Sequence, residues 1–188
     1  MSKPEKVFKV VVPTGAPLLG NEKAKVQIIE FSDFACPYCS ELAENLKKVK
    51  QRYGDKVALY YKHFPMDIAC NPMLTRPFHQ DACQAAKAAI CAYDQGKFWE
   101  MHDILFSNQQ AQTAKDLENY AGQLQLDLDR FRSCMRSEEA KKRLKQDIDD
   151  GLKLNFRGTP VFYINGQQFQ GAYPVETLEE IISEILKG

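Results

Sequence analysis

The 188-residue chain has no net charge, no long apolar run, no internal repeat and no low-complexity linker. Each absence closes a class of reading. With 25 basic against 25 acidic side chains, nothing marks a nucleic-acid or anionic-membrane partner. The basic clusters at 47–50 and 141–145 are flanked by acids and read as solvated helix faces. No stretch approaches the ~20 apolar residues that a bilayer-spanning helix requires. Metal chemistry has little support: a structural zinc site would normally show a second CxxC or a closely spaced Cys/His pair, and neither occurs. The three histidines are single residues, with His63 ending a strand, His79 starting a helix and His102 in the middle of one. They read as core, cap or surface groups.

Cysteine, by contrast, is abundant for the length, at six residues. The N-terminal Met-Ser-Lys-Pro-Glu-Lys lacks the apolar core of a signal peptide. Two readings remain: a cytosolic protein, or a mature exported chain whose signal has been removed. The even, high cysteine count suits an oxidising compartment and favours the second.

Strand patterns occur at 7–12, at 26–31 and at 57–64, and the first helix is predicted over 37–53, with Leu42, Leu46, Val49 and Tyr53 at helical spacing. From 65 to 155 the pattern is helical only. Strand character returns at 161–164, followed by Asn165-Gly166, a dipeptide suited to a type I′ hairpin, and a partner strand at 167–170. Pro174 then marks the start of a helix with Leu178, Ile181, Ile182 and Ile185 on its apolar face. Sheet-forming ends flank the helical block, which makes the block an insertion.

Two features carry chemistry. Cys36-Pro37-Tyr38-Cys39 falls where the second strand gives way to the helix. The first sulfur therefore meets unpaired backbone N–H groups and the positive end of the helix dipole, which both favour thiolate. A pKa near ~8.5 would leave a few per cent ionised at neutral pH, whereas ~5 would leave almost none protonated. The second feature is Glu30, which alternation places on the same strand face as Val26 and Ile28. A carboxyl buried there should titrate high, and it precedes Cys36 by six residues. The alternative is an edge glutamate that reaches water. Asp33, three residues before Cys36, could tune the thiol or cap the approach to the helix.

The other cysteines are Cys70, Cys83, Cys91 and Cys134. Cys83 and Cys91 are eight residues apart on one predicted helix, a rise of ~12 Å, too far for a bridge. The favoured scheme pairs Cys70 with Cys83 and Cys91 with Cys134; buried free thiols are the alternative.

The segment from Glu30 to Cys39, the later stretch Gly158-Thr159-Pro160-Val161-Phe162-Tyr163-Ile164-Asn165-Gly166 and the helical block between them resemble the DsbA-type thiol-disulfide oxidoreductases of the bacterial cell envelope. The resemblance implies an α/β thioredoxin fold with an inserted all-helical subdomain: 1–64 and 156–188 form the thioredoxin-like parts and 65–155 the insertion. It implies Cys36 as the solvent-facing attacking sulfur, Cys39 as its buried resolving partner, and Glu30 as the family's buried acid. Thr159-Pro160 matches its cis-proline loop, where with Pro37 and Tyr38 an extended substrate would bind. A cis X–Pro bond is unfavourable by only ~0.5 to 1 kcal/mol, and the exposed backbone edge could pair with a substrate strand.

The implied protein is a monomer in the periplasm or another extracytoplasmic compartment. It would need no cofactor or metal beyond the Cys36–Cys39 disulfide, would act on unfolded or partly folded polypeptides and would be recycled by a membrane redox partner, with no nucleic acid involved. Pro37-Tyr38 departs from the Pro-His of the strongest oxidants and is shared with glutaredoxins and some isomerases, as Thr159 is with isomerases. Oxidase is the leading expectation, with a potential between about −270 mV for thioredoxin and about −120 mV for DsbA. Reductase, isomerase and redox-inert peptide-binding or chaperone readings stay open.

Overall fold

The computed structural model describes residues 15–188. The strand expected at 7–12 lies outside these residues. Five strands form one sheet in the order β1-β3-β2-β4-β5: β1 Leu18–Leu19, β2 Val26–Ser32, β3 Val57–His63, β4 Val161–Ile164 and β5 Gln167–Gln170. β2 and β3 run parallel and the other pairings are antiparallel. β1, a two-residue edge strand against Tyr60 and Leu59, is too short to show a sequence pattern.

The parallel β2–β3 pair requires a crossover, and helix α1 (Pro37–Tyr53) supplies it. Pro37 sits in the first helical turn, where a missing N–H is harmless, and the helix stops at Gly54 with φ 52°. Leu42, Leu46 and Val49 are buried with Val26, Ile28, Val57, Leu59, Phe162 and Ile164. Helix α7 (Val175–Lys187) adds Leu178 and Ile182 to the same cluster, which is mainly aliphatic.

The other face carries five helices, α2 Ala82–Tyr93, α3 Phe98–Ser107, α4 Ala114–Gln123, α5 Leu128–Met135 and α6 Glu138–Lys153. Small residues let α2 pack deeply, with Ala85, Ala86, Ala88, Ala89 and Ala92 all buried. Ile29, Phe31 and Tyr163 turn toward this block, where Phe31 meets Phe156 at 5.1 Å. α6 approaches the sheet through Gly151, at which a Cβ would stand 2.6 Å from the Phe64 ring. Lys62, buried at the end of β3, pairs with Asp147 at 2.9 Å and Asp150 at 2.7 Å on α6.

Two disulfides brace the helices. Cys70–Cys83 closes the loop that leads into α2, and Cys91–Cys134 ties α2 to α5, with Cα separations of 6.0 and 5.7 Å. The hairpin turn is made by Asn165 and Gly166, at φ 48° and 87°. Asn165 does more than turn the chain: its side chain accepts from Gln27 N at 2.7 Å and donates to Lys25 O at 3.0 Å, closing the open end of β2.

Candidate active site

Cys36 is the N-cap of α1 and Cys39 lies in its first turn, which contains no acidic residue to cancel the dipole. Both are free thiols. The Thr159–Pro160 peptide bond is cis, and Thr159 O lies 3.6 Å from Cys36 Sγ, across a separation of 123 residues. Strand pairing brings them together, because β4 joins β2 in a register that sets Val161 opposite Phe31.

The two sulfurs differ. Cys36 is pushed down to about 6, chiefly by a hydrogen bond from the Cys39 side chain, then by the Cys39 backbone and by Thr159, against burial and the Asp33 charge. Cys39 is driven well above the ordinary thiol value by burial first and by its neighbour Cys36 second. The surroundings thus favour the thiolate at Cys36 and the thiol at Cys39. The solvent-facing Cys36 that the resemblance implied needs correction, because the residue is 4% exposed against 0% for Cys39. Its surroundings explain this: the Thr159 carbonyl lies against the sulfur, and Gln109 of the insertion donates to Phe34 O and Cys36 O, both at 2.9 Å, covering the backbone. Pro37 is exposed, Tyr38 is 65% exposed and Pro160 is buried.

Glu30 is 3% exposed, and burial raises its carboxyl to about 8. Its Oε2 has no hydrogen-bond partner among the described residues. It borders a cleft of about 330 Å³ lined also by Ser40, Glu44, Trp99, His102 and Phe106. Tyr61, wholly buried, lies within the fields of both Glu30 and Cys39, and its phenol is pushed up by burial first and then by Glu30.

Asp33 caps the turn into α1: its Oδ1 accepts from Ala35 N at 2.8 Å, its Oδ2 from Met66 N at 2.9 Å, and its carbonyl from Cys36 N at 3.1 Å. His79 does not start a helix, since α2 begins at Ala82; it stands in the preceding turn with Nδ1 2.5 Å from Asp33 Oδ2. His102 and His63 are buried and held neutral, both primarily by burial, with His63 lowered to about 3. Among the described residues no cluster of three His, Cys, Asp or Glu side chains could hold a metal. Cys70, Cys83, Cys91 and Cys134 lie in the helical block, joined to one another and not to the reactive pair.

Sequence reasoning missed Gln109, Gln112 and the His79–Asp33 pair, which hold residues 33–36 from the insertion. No local pattern announces them, because each acts across 46 or more residues. Tyr61 was legible only as a strand residue.

A mixed sheet, a pair of free cysteines at a helix start and a cis-proline loop beside it together define a thioredoxin-type protein. The chain belongs to the thioredoxin family, whose model matches residues 13–184. It shares the fold of a thioredoxin-like oxidoreductase from Silicibacter pomeroyi, with a TM-score of 0.78 at 24% identity, over 94% of this chain and 95% of that one. It shares the fold also of alpha-DsbA1 of Wolbachia pipientis, with a TM-score of 0.77 at 20% identity, over 94% of this chain and 93% of that one. By sequence it is 33% identical over 169 residues to the Na(+)/H(+) antiporter NhaA 1 of Salinispora arenicola. That match takes in 90% of this chain but only 24% of the antiporter, so the chain spans about a quarter of the length of that curated relative. Among the described residues no helix is long and apolar enough to cross a membrane.

Proposed function

We propose that the protein is a thiol-disulfide oxidoreductase acting on polypeptides, working as an oxidase through Cys36 and Cys39. The observation that carries this reading is the placement of two free thiols at the start of α1 with Cys36 Sγ 3.6 Å from the carbonyl of the cis Thr159–Pro160 bond, and the opposed shifts of the two sulfurs support it. In the oxidised protein a substrate thiolate attacks Cys36 Sγ, the Cys36–Cys39 bond breaks, and Cys39 leaves with the electron pair. A second substrate thiolate attacks the substrate sulfur of the mixed disulfide and expels Cys36 as a thiolate. The substrate loses two electrons and two protons, and the pair gains the electrons. Cys39 takes up a proton because burial makes its anion unfavourable. Glu30, which keeps its proton to about 8, is the buried donor, with Tyr61 standing in the field of both groups.

A Cys36 pKa of about 6 instead of 9.0 stabilises the reduced form at pH 7. The effect is at most about 1.4 kcal/mol, or about 30 mV, before solvent screening reduces it. This supports a potential above that of thioredoxin, at about −270 mV, and well short of about −120 mV. On this reading the substrates are unfolded or partly folded chains, Tyr38, Pro37 and the Thr159-Pro160 loop receive them, and a membrane redox protein in an extracytoplasmic compartment reoxidises the pair.

The test is the equilibrium potential against glutathione, together with oxidation of a reduced, unfolded test protein by wild type and Cys36→Ser. The oxidase reading expects a potential above about −270 mV and at least ~10³-fold slower oxidation by the variant. A potential at or below that value would make the protein a reductase. Equal rates for both proteins would leave a redox-inert binding module.

A further inference from the structure

The loop between β3 and α2 closes on itself and ends beside the reactive pair. Asp67 organises it, accepting from Ala69 N and Cys83 N at 3.0 Å each through its carboxylate, and from Asn71 N at 2.9 Å through its carbonyl. The Cys70–Cys83 disulfide ties the middle of the loop to the first turn of α2. Within this loop His79 N donates to Met66 O at 2.9 Å, and the imidazole Nδ1 reaches Asp33 Oδ2 at 2.5 Å. The Asp33 side chain is fully buried and that of His79 is 16% exposed. Phe78, itself 65% exposed, lies flat on the imidazole at 4.1 Å between centroids, an arrangement that favours a cation.

Asp33 occupies a position of conflict. Its carboxylate and carbonyl build the turn that presents Cys36, yet its negative charge opposes a thiolate there. A positive group held on that carboxylate from the far side would keep the turn and cancel the charge. The motif itself carries Tyr38 and has no imidazole to offer. We propose that His79 is a positioning residue which, through Asp33, supplies from the insertion the positive charge and the backbone restraint that keep Cys36 a thiolate. This rests on the thiol-disulfide reading above.

The surroundings favour the charged imidazole. The Asp33 hydrogen bond is the largest influence, and the charges of Asp33, Cys36 and Asp67 add to it against partial burial. The other groups facing the site are Cys39, whose thiol stays protonated, Glu30 behind Tyr61, which is neutral at pH 7, and on α3 His102, which packs edge-on against Phe34 and is neutral through burial. His79 is therefore the cation paired with Asp33.

The experiment follows the ultraviolet thiolate absorbance of the reduced protein with pH in wild type, His79→Ala, His79→Asn, Asp33→Asn and the double variant Asp33→Asn/His79→Ala. His79→Ala should move the Cys36 midpoint up by about one pH unit. His79→Asn keeps a donor toward Asp33 without the charge and should move it up by less. The double variant should return to the wild-type midpoint or below it, because the uncompensated carboxylate is gone. Equal midpoints in wild type, His79→Ala and His79→Asn overturn the proposal, as does a double variant that stays as high as His79→Ala. If His79→Ala does not fold, His79→Asn and the double variant decide. A wild-type Cys36 that titrates near ~8.5 would instead defeat the oxidoreductase reading, so the two failures are told apart.

Discussion

The two faces of the sheet are built from different materials. Against α1 and α7 the interior is mainly aliphatic, with Phe162, Phe169 and Tyr173 packed together at one side, and Glu30 is the acid buried at its edge. Against the insertion the packing is aromatic and alanine-rich, and it encloses His63, Asp67, Asn71, His102 and Gln112, held further by two disulfides. Residues 33–39 lie where the faces meet. The side of α1 and α7 gives the pair its scaffold and, on the proposed reading, its proton source, while the insertion grips the loop before the helix through His79, Gln109 and Gln112. On that reading support and tuning come from opposite sides.

The difference can be broken most strongly at the disulfides. Replacing Cys91 and Cys134 by Ala opens a closure across 43 residues and should lower stability by about 4 kcal/mol, read by denaturant unfolding, with the Cys36 midpoint unmoved. Replacing Cys70 and Cys83 releases a separation of 13 residues, about 3 kcal/mol, but should shift that midpoint because the loop carries His79. Equal behaviour of the two variants in the thiolate titration would dissolve the distinction between bracing and tuning.

Glu30→Gln tests the aliphatic side. The unfolded carboxyl releases its proton near 4.5 and the folded one holds it to about 8. The unfolded state binds fewer protons in that window, so stability falls as pH rises through it, by about 1.4 kcal/mol per pH unit and roughly 3 kcal/mol by pH 7. The variant should therefore be more stable at pH 7 by an amount of that order, with a flat profile between pH 5 and 8 in urea melts. Its mixed disulfide with substrate should also form more slowly, because Cys39 then leaves without the Glu30 proton.

At the joint between α6 and the sheet, Gly151→Ala drives a methyl group into the Phe64 and Phe156 rings and should cost about 1 to 3 kcal/mol in thermal unfolding. Farther out, Thr113 caps α4 in a reciprocal box with Asp116. Thr113→Ala should remove about 1 kcal/mol without altering thiolate titration or turnover.

Much of the scaffold was legible because it is written in short periods. Alternation marked β2, helical spacing marked α1, Asn165-Gly166 marked the hairpin, and the break at Glu30 in an apolar strand face marked a carboxyl with a raised pKa. β1 was not legible, since two residues carry no period. His79 was misread as a helix start because polar residues before an alanine-rich helix look like caps, whereas its partner is 46 residues away.

The sequence by itself determined the CxxC pair at the start of α1, the order of the elements from β2 onward and the helical block between the sheet-forming ends, since local periodicity and turn chemistry act over a few residues. Tertiary structure decided how exposed Cys36 is, which groups beyond the helix start act on its sulfur, and which groups surround Asp33. Those properties depend on burial and on charges a few ångströms apart in space, and spacing along the chain does not encode either.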